Sequence, residues 1–207
     1  MEDARDRRSV EERREQLIDA AIQVLAEEGL DRATTRRITE RAGLALGAFH
    51  YAFRSKDELL ESVIERFAAG LDGMAGEVPE TNGDVGRATR QLIETFWSFA
   101  QQSPELQLAQ YELTLHALRD PAMRPLARKQ YDTYTDAISR ALGNVADAPP
   151  SQERDDLARY IAATLDGLVL QGIVDDDPEA ARRRLELHLR ALPMLVRESR
   201  LTGDRAS

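Results

Sequence analysis

Apolar residues recur at helical spacing along most of the chain, and the strict alternation typical of half-buried strands is nearly absent. The segment from Val10 to Glu28 illustrates the pattern, and Gly29 is well placed to end a helix there. Its apolar residues form a single stripe: Leu17, Ile18, Ala21, Ile22, Val24 and Leu25. The spacing therefore predicts an amphipathic first helix that buries one face.

Three shorter patterns follow this helix. Either Thr34 or Thr35 can cap a second helix, which ends at Gly43. A third helix fits residues 46–52. Ser55 can cap a fourth, whose first turn carries the acidic residues that a helix N-terminus favours.

Proline and glycine divide the rest of the chain. A break is expected over residues 76–86, and later boundaries fall at Pro104, Pro121, Pro149-Pro150 and Pro178. The segments between them fit helices at 84–102, 105–118, 122–143, 153–174 and 179–198. Pro193 is expected to kink or end the last helix. The sequence thus predicts an all-α protein of about nine helices.

Charge is distributed unevenly along the chain. The formal net charge is −9, yet the first 56 residues carry as many basic as acidic side chains. Within residues 32–56, a single carboxylate, Glu40, accompanies six basic residues: Arg32, Arg36, Arg37, Arg41, Arg54 and Lys56. Such a basic window suits a local phosphate-binding surface, although a solvated face with chance clustering fits the charge equally well.

The sequence lacks the motifs of several protein classes, including enzymes, metal-binding proteins and membrane proteins. The chain has no cysteine, so disulfides and thiolate chemistry are excluded, and it lacks a P-loop and a dinucleotide fingerprint. Its three histidines, His50, His116 and His188, show no metal-ligand spacing. We therefore expect no enzyme activity, no cofactor and no metal. With no signal peptide and no long apolar run, a cytoplasmic location without membrane contact is expected.

The first three helices are short and closely spaced. Only a few residues around Gly43 join the second helix to the third, as in a helix-turn-helix, whose second helix enters the major groove of DNA. Ile38, Ala42, Leu44 and Phe49 can pack beneath the pair. Gly47 and Ala48 are small, which allows a close approach to DNA.

The run from Thr34 to Leu60, TTRRITERAGLALGAFHYAFRSKDELL, resembles the signature of the TetR/AcrR family of bacterial regulators. The resemblance covers about 50 residues, including the helix that precedes the run. It implies a bacterial DNA-binding regulator. The remaining residues would form the family's variable domain for ligand binding and dimerisation.

The resemblance also implies roles for single residues. Thr35 would bind a phosphate and Arg36 a base edge or phosphate. Leu46, Gly47 and Ala48 would face the floor of the groove, where apolar groups can contact thymine methyls. His50 and Tyr51 would contact the DNA backbone, and Lys56 would bind phosphate. The complete expected DNA-binding set is Thr34, Thr35, Arg36, Arg37, Ala45, Leu46, Gly47, Ala48, His50, Tyr51, Ser55 and Lys56.

The chain departs from the family pattern at four positions of the recognition helix. Ala45 stands where a capping hydroxyl residue is usual, and Ala48, His50 and Ala52 also differ from the frequent residues. The missing cap should cost about 1 kcal/mol of helix stability. Few polar side chains remain, so Arg36, Arg37 and DNA shape can carry more of the specificity.

Other interpretations of these residues remain open. Tyr51 and Phe53 can instead be core residues, with Phe53 the stronger case, and His50 can be an unpartnered surface residue. Arg37 and Arg41 can simply be solvated. The basic residues of the first nine positions can reach a minor groove or belong to a disordered tail.

The last two helices are apolar on more than one face, so each must pack against its own domain and against something else. A two-fold dimer joined by a four-helix bundle satisfies this requirement, and a buried central helix within a monomer is the alternative. The expected interface residues are Leu157, Ile161, Leu165, Leu168, Leu185, Leu189, Leu192 and Val196.

A ligand pocket is expected in the C-terminal part. Aromatic side chains could line it, and polar residues in apolar surroundings would need partners there. Glu112 and His116 could orient a polar ligand or form an exposed pair. The candidate ligand-binding residues are Phe96, Trp97, Tyr111, Glu112, His116, Tyr131, Tyr134, Asp166 and Gln171.

Together these observations predict a flexible arm (1–9), a helix-turn-helix domain (10–56), a ligand-binding and dimerisation domain (57–200) and a tail (201–207). The expected protein is a homodimeric repressor that binds double-stranded operator DNA and is released from it by a small-molecule effector. The alternatives are an activator, and a helical ligand-binding protein without sequence-specific DNA binding.

Overall fold

The structure is a computed structural model that describes residues 2–76, 85–143, 151–175 and 177–203. Within these ranges the chain forms nine α-helices and one short 3-10 helix (Leu30–Arg32) and contains no strand, which confirms the all-α prediction. The α-helices are α1 (Glu2–Glu28), α2 (Thr35–Arg41), α3 (Leu46–Ala52), α4 (Lys56–Gly76), α5 (Val85–Gln102), α6 (Pro104–Arg119), α7 (Arg124–Gly143), α8 (Ser151–Asp175) and α9 (Pro178–Gly203).

The differences from the predicted boundaries lie mainly at the ends of the chain. Helix α1 begins at Glu2, so most of the expected arm is helical, because its Arg, Glu and Ala residues favour a helix. Helix α9 continues to Gly203, into the expected tail. Residues 204–207, and most of the expected breaks at 76–86 and before Ser151, lie outside the described residues.

Pro193 lies inside α9 and does not end it, contrary to one of the two expected outcomes. A proline within a helix leaves the carbonyl four residues earlier without its N–H donor. Here that carbonyl belongs to Leu189, and the Arg90 guanidinium donates to it at 3.4 Å. Arg90 of α5 thus replaces, with its side chain, the hydrogen-bond donor that the proline lacks.

The chain divides into two compact units. Unit 1 comprises Met1–Phe67 and Ser103–Gln130, and unit 2 comprises Ala68–Gln102 and Tyr131–Ser207. Packing therefore assigns α6 and the first turns of α7 to the same unit as the helix-turn-helix. The predicted division between residues 56 and 57 remains a proposal about function and does not coincide with this division.

Unit 1 has an apolar core to which both of its chain segments contribute. The first helices supply Leu17, Leu25, Ile38 and Phe49, all fully or almost fully buried. The second segment adds Ala109, Leu113, Ala117, Met123 and Ala127 to the same cluster. The helix-turn-helix thus shares its core with α6, because α2 and α3 have only seven residues each and one face of α1 cannot form a sizeable core with them alone.

Unit 2 has a separate core in which α8 packs along α9, and α5 packs on both. Helix α8 is the one described helix long and apolar enough to span a membrane, with a mean hydropathy of 1.3 over the most apolar 18-residue window within Gln152–Asp175. A single helix of this kind is weak support for a membrane segment, since a core helix has the same composition. One face of α8 does enter the core, through Leu157, Ile161 and Leu165.

Candidate nucleic-acid interface

Helices α2 and α3 form the helix-turn-helix that their spacing predicts. Ile38 of α2 and Phe49 of α3 are buried in the core of unit 1 against α1. The turn between them passes through Gly43, whose φ of +68° is a conformation that glycine adopts without strain. A Cβ atom at Gly43 would meet nothing within 4 Å, so the backbone conformation alone calls for glycine here.

The helix caps agree with the sequence analysis. Thr34 is the N-cap of α2, and its hydroxyl oxygen accepts a hydrogen bond from the Arg37 N–H at 3.2 Å. Ser55 accepts one from the Glu58 N–H at 3.1 Å, at the start of α4. Ala45 is the N-cap of α3 and provides no such bond, which confirms the expected loss of a cap.

Helix α3 turns one face outward. Phe49 and Ala52 bury the opposite face, whereas Tyr51 is 79% exposed and Leu46 is 48% exposed. His50 is also exposed, with its ring edge-on to Phe49 at a centroid distance of 5.6 Å. Tyr51 is therefore not a core residue, whereas Phe53 is buried, as the stronger alternative held.

Two of the six basic residues in the window are held by carboxylates of α1. The Arg37 guanidinium donates to both carboxylate oxygens of Glu28, over 2.7–3.0 Å, and Arg41 donates to both oxygens of Glu27 at 2.7 and 2.8 Å. The hydrogen bonds from Arg37 lower the pKa of Glu28, and those from Arg41 lower the pKa of Glu27. Arg37 and Arg41 thus hold α2 against α1. The sequence suggested either base contacts or solvated side chains for these two residues, and it did not predict this pairing.

The sequence offered a signal for this bracing, since Glu27 and Glu28 lie only a few positions before the basic window. Both glutamates lie outside the basic window, which begins at Arg32. Arg32, Arg36 and Arg54 remain exposed and Lys56 is half-buried. None of these four makes a side-chain ion pair with any residue that the structure describes, so they are the cations best able to meet phosphate.

Arg14 is a positioning residue that sequence reasoning missed. Its guanidinium donates to the Ala52 carbonyl at the end of α3, pairs with Glu58 of α4 at 3.1 Å, and lies 4.1 Å from the centre of the Phe53 ring. The Arg54 N–H also donates to Glu58, and these bonds lower the pKa of the Glu58 carboxyl. Arg14 therefore holds the end of α3 and the start of α4 on α1. Nothing in its sequence context distinguishes it from neighbouring arginines.

Unit 2 brings three of the candidate ligand-binding residues together. Tyr131 hydrogen-bonds to Asp166, and the Tyr131 and Tyr134 rings lie 5.6 Å apart. Burial raises the pKa of Asp166, and the Tyr131 hydrogen bond partly opposes this shift. Trp97 is buried in the core of unit 2, with Phe96 packed beside it. Gln171 is exposed on α8, and its proposed role in ligand binding stays a prediction.

Three other candidate ligand-binding residues, Tyr111, Glu112 and His116, lie in unit 1. The Glu112 carboxylate accepts a hydrogen bond from the Leu30 N–H at 2.9 Å, which ties α6 to the 3-10 turn before α2. Glu112 and His116 line an open cleft of about 360 Å³ that also includes Gly29 and Arg119. Glu112 thus has a structural partner that the sequence did not indicate.

Most of the residues predicted to form the dimer interface point into the core of the single chain. Side chains from both helices are buried within the core of unit 2: Leu157, Ile161, Leu165, Leu185, Leu189 and Leu192. Leu168 packs against the same core, and the side chain of Val196 lies outside the described residues. The other apolar face of these helices is the exposed one. Because both faces are apolar, composition did not reveal which of them the monomer uses.

Comparison with known proteins identifies the family. Residues 17–63 match the bacterial regulatory proteins of the tetR family, and residues 80–192 match the tetracyclin repressor-like C-terminal domain. The HTH-type nicotine-responsive transcriptional repressor HdnoR of Paenarthrobacter nicotinovorans is 34% identical over 175 residues, covering 82% of this chain and 89% of the relative.

Solved structures share the fold. A transcriptional regulator from Rhodococcus sp. Rha1 superposes with a TM-score of 0.73 at 24% identity, covering 89% of this chain and 96% of that one. The multidrug binding protein EbrR, solved with ethidium, gives a TM-score of 0.64 at 26% identity, covering 86% and 98%. These matches confirm the resemblance found in the sequence: the chain belongs to the tetR family of bacterial regulatory proteins and is a helix-turn-helix transcriptional regulator.

Proposed function

We propose that the protein is a homodimeric repressor that binds a palindromic operator in the bacterial cytoplasm and leaves it when a small molecule binds. The outward face of α3 carries this proposal. Tyr51 is 79% exposed, although other residues of α3 anchor the helix in the core. An aromatic side chain exposed in this way suits a surface that contacts a partner. The unpaired cations Arg36 and Lys56 flank this helix in the sequence and suit a partner rich in phosphate.

The homodimer is supported by the exposed face of α8 and α9. On α8, Tyr160, Leu170 and Val174 are exposed, Val174 by 75%, and they share a stripe with Ala163 and Gly167. On α9, Leu187 and Met194 lie seven residues apart and are 65% and 62% exposed. A soluble chain that exposes two apolar stripes on adjacent helices is well suited to pair with a second copy.

The effector is proposed to be a small organic cation. In unit 2 the Asp166 carboxyl lies beside Tyr131, whose ring is close to that of Tyr134. A carboxylate together with aromatic rings favours a positively charged group. The names of two similar proteins agree with this chemistry, since one responds to nicotine and the other was solved with ethidium.

The first test is DNA binding measured by fluorescence anisotropy over a series of salt concentrations. The duplex spans the region upstream of the protein's own gene, and a scrambled duplex serves as the reference. We expect tight, sequence-dependent binding that weakens steeply with salt. Lys56→Ala should weaken binding and flatten the slope of log K against log salt by about 0.9 for each phosphate that the variant no longer neutralises.

Arg128→Ala is the matched control, because Arg128 is an exposed cation of α7 in the same unit, outside the helix-turn-helix. It should leave the affinity and the salt slope unchanged. Equal binding of operator and scrambled DNA would favour a helical ligand-binding protein without sequence-specific DNA binding. A reporter gene that is expressed more strongly in the presence of the protein would indicate an activator.

A further inference from the structure

The first turn of the recognition helix offers no polar side chain. It comprises Ala45, the uncapped N-cap, followed by Leu46, Gly47 and Ala48. Leu46 is 48% exposed, Gly47 is exposed with nothing within 4 Å of a Cβ placed there, and Ala48 is half-buried. Leu46 is therefore the one side chain of this turn long enough to extend well beyond the helix backbone.

In a helix-turn-helix, the N-terminal residues of the recognition helix contact the base edges in the major groove. Three of the four bases present mainly hydrogen-bonding groups there, and thymine adds a C5-methyl group. A leucine side chain neither donates nor accepts hydrogen bonds. Its favourable contact in the groove is with that methyl group, through the burial of apolar surface.

The neighbouring polar residues do not place a hydrogen-bonding side chain at the first turn of α3. Arg37 and Arg41 are bound to Glu28 and Glu27, so α2 retains Arg36 as its unpaired cation among the described residues. On α3, His50 and Tyr51 lie in the second half of the helix. The chemistry available at the front of α3 is thus apolar.

We propose that Leu46 determines specificity by contacting the C5-methyl group of thymine in each half-site of the operator. This inference rests on the proposed function as a DNA-binding repressor. It goes beyond it by naming the base feature that is read and the side chain that reads it. Arg36 and Lys56 supply affinity through other groups, so removing the methyl weakens binding without abolishing it.

The test replaces thymine by uracil, which removes the methyl group and leaves the Watson–Crick hydrogen bonds intact. The full-length protein first selects its preferred duplex from a random library. Each thymine of the two half-sites is then replaced, symmetrically and one position at a time. Burying one methyl group corresponds to about a fourfold change in affinity, so the symmetric substitution at the contacted position should weaken binding by about fifteenfold.

Leu46→Ala provides the decisive comparison, since the exposed side chain is removed while helix propensity is retained. We expect this variant to bind the thymine and uracil duplexes equally at the contacted position. Leu108→Ala removes an exposed leucine of α6 and should keep the full preference of the unmodified protein for thymine. Lys56→Ala should weaken binding to both duplexes by the same factor.

Two results overturn the inference. One is equal binding of every uracil duplex by the unmodified protein, and the other is a Leu46→Ala variant that still discriminates against uracil as strongly. Failure of the repressor proposal gives a different result, because no duplex would then emerge from the selection with an advantage over scrambled DNA.

Discussion

At the scale of single residues, Asp166 makes a testable contribution to the pH dependence of stability. Burial raises the pKa of its carboxyl group, so the folded protein retains this proton at pH values where the unfolded chain has lost it. The contribution of Asp166 to the free energy of unfolding is therefore greatest below the pKa that its carboxyl has in the unfolded chain. This contribution decreases as pH rises toward the pKa that the carboxyl has in the folded protein. Above the folded pKa the loss is constant.

We expect Asp166→Asn to stabilise the protein at neutral pH by on the order of 1 kcal/mol, because an amide can accept the Tyr131 hydrogen bond without placing a charge there. Urea denaturation between pH 4 and about pH 8 measures this. The free energy of unfolding of the variant should depend less on pH than that of the parent protein. Asp156→Asn, an exposed carboxylate on the same helix, is the control, and an equal gain there would refute the explanation.

Charge pairing was the part of the site least accessible to sequence reasoning. The basic window correctly indicated where cations collect, yet Arg37 and Arg41 are tied to carboxylates fourteen or fewer positions earlier in the chain. Arg14 and Glu58 are 44 positions apart and meet only because α1 packs beneath α3 and α4. Such pairs depend on tertiary structure, whereas helical periodicity depends on neighbours in the sequence.

At the scale of the helices, the missing cap of α3 gives a second prediction. Ala45 has the extended backbone conformation usual for an N-cap but has no oxygen to accept the N–H groups of the first turn. Ala45→Ser should therefore stabilise DNA-free protein by about 1 kcal/mol. Thermal unfolding followed by circular dichroism would show a higher Tm.

Ala45→Val is the matched control for this cap, because valine tolerates the extended conformation and supplies no acceptor. It should give no increase in Tm. An equal increase in both variants would mean that the hydroxyl is irrelevant and that the side-chain volume stabilises the turn.

Helix boundaries were well predicted wherever a local signal sets them. The caps Thr34 and Ser55 act within three residues of their own positions, and the turn at Gly43 requires a positive φ. Pro193 shows where this reasoning fails. Its local effect is partly offset by Arg90, more than a hundred positions earlier, which no local pattern indicates.

At the scale of the whole molecule, the proposed dimer gives the next prediction. Val174→Glu places a charge at the most exposed of the large apolar side chains that the structure describes on α8 and α9. A buried unpaired carboxylate at an interface is costly, so we expect the dimer dissociation constant to rise by more than about tenfold. Size-exclusion chromatography with light scattering should then show monomers, with operator affinity reduced in parallel.

Gln152→Glu adds the same charge at an exposed position near the start of α8 and serves as the control. It should leave the mass in solution unchanged. A Val174→Glu protein of the same mass as the parent would place the interface elsewhere. The two apolar faces of α8 explain why the sequence indicated a dimer and yet assigned the interface to residues of the monomer core.

The shared core of unit 1 has a consequence for protein engineering. Sensors are often built by joining the DNA-binding part of one regulator to the effector-binding part of another at a single junction. A junction after residue 56 would separate Leu113, Ala117 and Met123 from the helices against which they pack. A chimera of this protein should retain residues 103–130 together with its own first helices, which requires three junctions. Otherwise the grafted part must supply matching apolar side chains.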